Sequence, residues 1–207
     1  MHNERNLHIL GFAGSLRRQS YNRALLAAAQ ELLPAHTSLE IFDLHDIPFF
    51  NSDVEAEGTP ASVLAFRERI QAADALLIAT PEYNASTTGV LKNAIDWASR
   101  RRPDPNAPLD HKPVAIVGAG GMFGTVRAQL HLREILLHNQ MYVLNAPTLM
   151  LARAWEQFDD AGILTNPDSR ERLRRLLHAL RDWTLRLERG AQTGLATVSP
   201  PILTATS

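Results

Sequence analysis

The chain has 207 residues, with 21 Lys and Arg against 22 Asp and Glu, giving a formal net charge of −1. This balance lacks the basic excess that marks a nucleic-acid binder. Cysteine is absent, which excludes disulfides, thiol nucleophiles, thiolate zinc sites and iron–sulfur clusters. In chain order, Leu7 to Phe12 reads as a buried strand, and Asn22 to Leu33 has helical spacing in Ala24, Leu25, Ala28 and Leu32 until Pro34 stops it. Leu39 to Leu44 is a second strand. Residues 45–60 form a long loop, of the kind that is usually functional or mobile. Ala61 to Ala72 is helical, and Ala75 to Thr80 (ALLIAT) is a third strand, apolar throughout as a strand covered on both faces should be.

Val90 to Arg101 is helical. Pro113 to Val117 begins a fourth strand that ends in the turn GAGGMFG. Val126 to Asn139 is a helix, Met141 to Asn145 a short fifth strand, and Ser169 to Arg189 a long amphipathic final helix. Residues 1–189 read as one domain and 190–207, small, polar and proline-containing, as a C-terminal tail. The opening MHNERNLHIL has no signal-peptide pattern and no stretch approaches the roughly 18 apolar residues of a spanning helix, so the expected location is cytoplasmic.

Strands alternating with helices imply an α/β fold, a doubly wound parallel sheet with helices on both faces. Such sheets bind ligands at the carboxyl ends of the strands, near the switch in strand order. Three loops fall at such ends: 13–22, 80–88 and 118–125. The first, GSLRRQSYN, combines Ser15, Ser20 and Asn22 with the cations Arg17 and Arg18 at a helix N-terminus, which describes a phosphate site. A capped helix flanked by solvated arginines gives the same residues on this loop alone. Neither the triphosphate loop nor the GxGxxG dinucleotide fingerprint is present. The second loop, PEYNASTT, can present backbone groups and Tyr83 to a flat heterocycle. A phosphate at the first strand and a planar ring at the third is the layout of a mononucleotide across the sheet edge, and flavin mononucleotide fits a sheet of order 2-1-3-4-5.

The segments GSLRRQSYNRALL, PEYNASTTGVLKNAIDWASR and GAGGMFGTVRAQLHLREIL resemble the NAD(P)H-dependent FMN reductase family, which includes bacterial quinone and chromate reductases and azoreductases. The likeness runs from about residue 7 to about residue 185. It implies a flavodoxin-like fold, a five-stranded parallel sheet of order 2-1-3-4-5, and non-covalent FMN with NAD(P)H as co-substrate. By position it assigns Ser15, Arg17, Ser20 and Asn22 to the FMN phosphate, with Leu16 and Tyr21 also among the cofactor-binding residues. Pro81, Glu82, Tyr83 and Asn84 should border the ring and ribityl chain, with backbone N–H groups near Tyr83 and Asn84 facing charge on the reduced ring. Gly118, Ala119 and Gly120 should approach the ring from the fourth strand, in a turn where some relatives carry serine or threonine.

The implied reaction is ping-pong hydride transfer through FMN N5 to quinones, chromate, azo compounds or free flavin. The flavin carries the chemistry, and no catalytic side chain and no metal site is expected. The alternatives are a flavodoxin-type electron carrier without a substrate site, against which the near-neutral charge counts, and a flavodoxin-like domain that has lost flavin. The 126–138 helix is apolar on more than one face, and relatives are dimers or dimer pairs, so a homodimer or homotetramer is expected, with Phe49 and Phe50 of the long loop near a neighbour's site. The eight histidines are scattered, Trp97 is expected to pack, Lys92 and Asp96 to pair, and Arg100-Arg101-Arg102 to be a solvated helix end rather than a nucleotide-phosphate site.

Overall fold

The computed structural model describes residues 5–101 and 105–193. In chain order the elements are β1 (Leu7–Ala13), α1 (Tyr21–Glu31), β2 (Thr37–Phe42), α2 (Ser52–Glu57), α3 (Ala61–Ala72), β3 (Ala75–Ala79), α4 (Gly89–Ala98), β4 (Pro113–Ala119), α5 (Val126–His138), β5 (Tyr142–Val143), β6 (Leu149–Leu151), a single 3₁₀ turn (Ala154–Glu156) and α6 (Pro167–Gln192). The strands run parallel in the order β2-β1-β3-β4-β5, with β6 also on β4. This is the doubly wound, flavodoxin-like arrangement.

The pleat sorts alternate residues into two cores. Leu7, Ile9, Leu77, Ala79, Val117 and Ala119 face α1 and α6, whereas Leu10, Phe12, Leu76, Ile78, Val114 and Ile116 face α3, α4 and α5. Every residue of β3 and β4 is buried, which is why those segments read as unbroken apolar runs. On the second face the Phe12 and Phe66 rings meet edge-on at 5.2 Å between centroids, and both are fully buried.

The bounds of α1 and β2 shift by one or two residues, and four elements depart further from the sequence reading. The fifth strand is split: Pro113 and Val114 pair with Tyr142 and Val143, then Val117, Gly118 and Ala119 pair with Leu149, Met150 and Leu151. Leu144 N–H still donates to Val114 O at 2.8 Å, but residues 145–148 are unpaired between the two halves, and Pro147, which has no N–H for a ladder, lies there. The 45–60 loop contains α2, started by Asn51, whose side chain accepts from the Asp53 N–H at 2.9 Å, and ended at Gly58 (φ +141°). That loop is pinned: Pro48 O accepts from Asn93 Nδ2 and Trp97 Nε1, both at 2.8 Å, and the Phe50 ring sits 4.9 Å from Trp97. Helix α4 ends at Ala98, short of Arg101, and α6 extends to Gln192, three residues into the stretch read as tail.

Trp97 packs as expected, fully buried, and Lys92 Nζ meets Asp96 at 2.6 Å. Arg100 and Arg101 are ion-paired rather than solvated, each bidentate, with Glu55 (2.8 and 2.7 Å) and with Asp110 (2.6 and 2.9 Å). Arg102 and residues 194–207 lie outside the described residues. Among the described residues no helix is long and apolar enough to cross a membrane, and no cluster of metal-ligating side chains occurs.

Candidate functional site

The carboxyl ends of β1, β3 and β4 meet at the switch in strand order, and the loops leaving them enclose a cleft of about 240 Å³. Ten of the thirteen residues expected at a cofactor line it: Ser15, Arg17, Ser20, Tyr21, Asn22 from the first loop, Pro81, Glu82 and Tyr83 from the second, and Ala119 and Gly120 from the third. Leu16 and Asn84 are exposed beside it, and Gly118 is buried within β4.

The first loop is shaped for α1. Ser20 caps the helix, its Oγ accepting from the Arg23 N–H at 3.3 Å, and Ser15 Oγ accepts from the Arg17 N–H at 3.4 Å. Both serines are buried. The N–H groups of Tyr21 and Asn22 head the helix, where no intrahelical acceptor exists. Arg17 and Arg18 are exposed and have no ion-pair partner among the described residues; the Arg17 guanidinium lies 5.8 Å over the Tyr21 ring. Hydroxyls, free helix N–H groups and unpaired guanidinium together are a donor set suited to a phosphomonoester.

Asn22 has a different occupation. Its amide donates to Ala119 O at 2.9 Å and accepts from the Ala119 N–H at 3.0 Å, with the residue buried. It locks the start of α1 to the end of β4. A second lock joins the first two loops: Thr88 caps α4 and donates its Oγ hydrogen to Gly14 O at 2.6 Å. The approach is so close that a Cβ on Gly14 would lie 2.7 Å from that Oγ and 2.9 Å from Leu91 Cβ. Gly118 is equally constrained, since a Cβ there would lie 2.0 Å from Thr125 Oγ1 and 2.7 Å from Thr80 O.

Glu82 supplies the third lock. Its carboxylate accepts from the backbone N–H groups of Arg127 (2.9 Å) and Ala128 (3.2 Å) at the α5 N-terminus and from Arg127 Nε at 2.6 Å. Only 7% of the side chain is exposed. Burial pushes the Glu82 carboxyl up, but the Arg127 guanidinium and the two backbone N–H groups outweigh it, and the group is held below the usual carboxylate range. Glu82 is therefore a charged clamp between the second and third loops rather than a proton donor. Ser86 adds to the clamp, its Oγ lying 3.0 Å from His131 Nδ1 on α5.

Between these anchors the second loop makes a tight turn. Tyr83 and Ser86 exchange backbone hydrogen bonds (3.0 and 3.1 Å) around Asn84 (φ 52°) and Ala85 (φ 61°). Two left-handed residues in sequence define the turn type that usually carries Asn-Gly. Alanine there costs about 1 kcal/mol of strain. The Tyr83 N–H is thus committed to Ser86. The Tyr83 ring is 55% exposed at one rim of the cleft.

A further part of the lining was not foreseen. Ala154 and Trp155 of the 3₁₀ turn also line the cleft, with Trp155 53% exposed. They are carried there by β6: Gly120 N–H donates to Leu151 O, Arg153 N–H to Gly121 O and Ala154 N–H to Gly120 O, all at 2.8 to 3.0 Å. The sequence signal for this was the short LML segment and the tryptophan three residues beyond Ala152.

Residues 7–156 match the sequence profile described as NADPH-dependent FMN reductase. The chain belongs to that family. It is 50% identical over 183 residues to an NAD(P)H-dependent FMN reductase of Pseudomonas aeruginosa, covering 88% of this chain and 97% of that one. It is 46% identical over 189 residues to an NAD(P)H:quinone oxidoreductase of Solanum tuberosum, covering 88% and 95%. Among solved structures, FerB, a flavoenzyme NAD(P)H:(acceptor) oxidoreductase of Paracoccus denitrificans, aligns with a TM-score of 0.76 at 32% identity over 87% of this chain and 98% of that one. The family membership and the donor set agree: a phosphate-suited helix N-terminus, a narrow cleft and aromatic rims fit a flavin mononucleotide.

Because the folded Glu82 carboxyl titrates below its unfolded value, its stabilisation is complete above the ordinary glutamate pKa of about 4.3 and is lost as pH falls through the folded value. Glu82→Gln should cost about 1–3 kcal/mol at pH 7. It should also flatten the fall in stability below about pH 4.3 relative to the parent protein. Urea unfolding of both proteins between neutral and acid pH checks this.

Proposed function

We propose that this chain is an FMN-dependent NAD(P)H oxidoreductase that reduces quinones or similar small acceptors. The observation that carries the reading is the convergence of the unpaired Arg17, the capped α1 N-terminus and the PEYN turn on one cleft at the strand-order switch. The relatives named above, an FMN reductase and a quinone oxidoreductase, support the same activity.

Each residue then has a task. Arg17, the Ser15 and Ser20 hydroxyls and the Tyr21 and Asn22 N–H groups hold the FMN phosphate, the helix dipole adding to the attraction. Asn22, Thr88 and Glu82 keep the three loops at fixed separation, so that little ordering cost is met on binding. Tyr83 and Trp155 flank the ring position and exclude water from its edges. When bound, FMN supplies the hydride-accepting chemistry itself. The protein contributes orientation, placing donor and acceptor in turn over one open face. Chromate, azo compounds and free flavin belong to the same acceptor class, because an open face discriminates weakly among small oxidants.

A homodimer or homotetramer is part of the proposal. Phe123 (71% exposed), Val126 (39%), Leu130 (57%) and Leu137 (75%) recur at helical spacing along the outer side of α5 and the turn before it. That stripe begins in the turn before α5, next to the first helical residues that Glu82 holds. We place the protein in the cytoplasm, where its reduced nicotinamide donors are available.

Protein loaded with FMN and given NADPH without oxygen should lose its yellow colour and recover it on addition of a quinone. Bound flavin that NADPH leaves oxidised would instead favour the electron-carrier reading. Light scattering at micromolar concentration should give at least twice the 23.0 kDa chain mass; a monomer would contradict the subunit contact.

A further inference from the structure

The guanidinium on which the phosphate site relies stands on a neutral support. Among the described residues three arginines lie over aromatic rings: Arg17 over Tyr21, Arg100 over Phe50 and Arg127 over Phe123, at 5.8, 5.2 and 5.6 Å from the ring centroids. Arg100 and Arg127 are also bound to carboxylates, those of Glu55 and Glu82. Arg17 has no carboxylate partner among the described residues. A carboxylate would orient Arg17, but it would compete with a phosphate for the same N–H groups. A ring face orients the guanidinium and leaves its charge and its five donors unspent.

The support is itself backed. Tyr21 is the first residue of α1, and its ring lies 5.2 Å from that of Phe158, the two planes tilted by 34°. Phe158 is 6% exposed and belongs to the core that faces α1 and α6. Its place is set apart from α1: its N–H donates to Ala154 O at 3.3 Å, and it bridges to the buried Leu164. Phe158 does not line the flavin cleft, so whatever it does for the cofactor passes through other residues. Arg18 is the contrast. It is as exposed as Arg17 and has no carboxylate, but it lies over no ring. A long side chain of that kind loses its rotamer freedom when it binds an anion, whereas a stacked one has lost part of it beforehand.

We propose that Phe158 and the Tyr21 ring are positioning residues for the phosphate site: Phe158 fixes the Tyr21 ring, and that ring holds the Arg17 guanidinium at the start of α1. The assignment rests on the reading of this helix end as the place of the FMN phosphate.

The readout is the ratio of the affinities of the flavin-free protein for FMN and for riboflavin, from fluorescence titrations. A general loss of cleft shape weakens both flavins and leaves the ratio alone, whereas a misplaced Arg17 weakens FMN only. Tyr21→Leu should lower the preference for FMN by about two- to fivefold, the factor that an exposed cation–π contact supplies. Tyr21→Phe, which keeps the ring, should retain the full preference. Phe158→Leu, which keeps an apolar side chain in the core, should lower it in the same direction. In Arg17→Ala protein neither Tyr21→Leu nor Phe158→Leu should change the ratio further. If Phe158→Leu fails to fold, Tyr21→Leu, at a ring only partly buried, decides. A parent protein that prefers FMN together with an unaltered ratio in Tyr21→Leu overturns the proposal, and so does an equal fall when Arg17 is already alanine. A parent protein that binds both flavins equally overturns the phosphate reading itself, and the positioning role with it.

Discussion

The buried amide of Asn22, bonded in both directions to the backbone of Ala119, is the constraint on which this site depends. It fixes the start of the first helix against the end of the fourth strand, 97 residues further along the chain. A buried amide left half-satisfied costs about 1–3 kcal/mol, so the geometry is held from both sides. Thr88 to Gly14 and Glu82 to the α5 N-terminus complete a triangle of cross-loop bonds. Three loops that would otherwise move independently are tied into one mouth.

These bonds explain a division of labour within the loops. The polar atoms that the protein uses on itself, in Asn22, Thr88, Glu82 and the Tyr83 N–H, set the shape of the cleft. Those it leaves free, in Arg17 and the leading N–H groups of α1, are the ones that can bind an anion. The helix dipole makes the same distinction at two places. At α1 the positive end faces the cleft, whereas at α5 it is neutralised by Glu82. Of these two helix ends only that of α1 is left open to an anion, and the proposed function assigns the phosphate to it.

Much of this was legible in the residues. The alternation of buried strands with helical spacing implied the sheet, and the composition of 13–22, 80–88 and 118–125 located the three loops that line the cleft. What could not be read were interactions across long sequence separations. Nothing local tells that Glu82 reaches Arg127, 45 residues away, rather than turning into the cleft. Nor does the position of Asn22 in the sequence distinguish a ligand-binding amide from one that joins two stretches of backbone. The second half of the fifth strand escaped because Leu149–Leu151 is three residues long and follows a proline, and its pairing depends on β4 already being in place. With it went Trp155, whose position at the rim follows from β6. The arginines after α4 were legible as a charge run, but their partners Glu55 and Asp110 come from a loop and a turn outside the helix.

The central claim is that the N-terminus of α1 captures the cofactor by its phosphate. Comparing the affinities of the flavin-free protein for FMN and for riboflavin, which differ only in that phosphate, tests it most directly. The account predicts binding of FMN about a hundredfold tighter or more, since two charge-assisted contacts are at stake, and a difference that shrinks in Arg17→Ala. Equal affinity for the two flavins would contradict it.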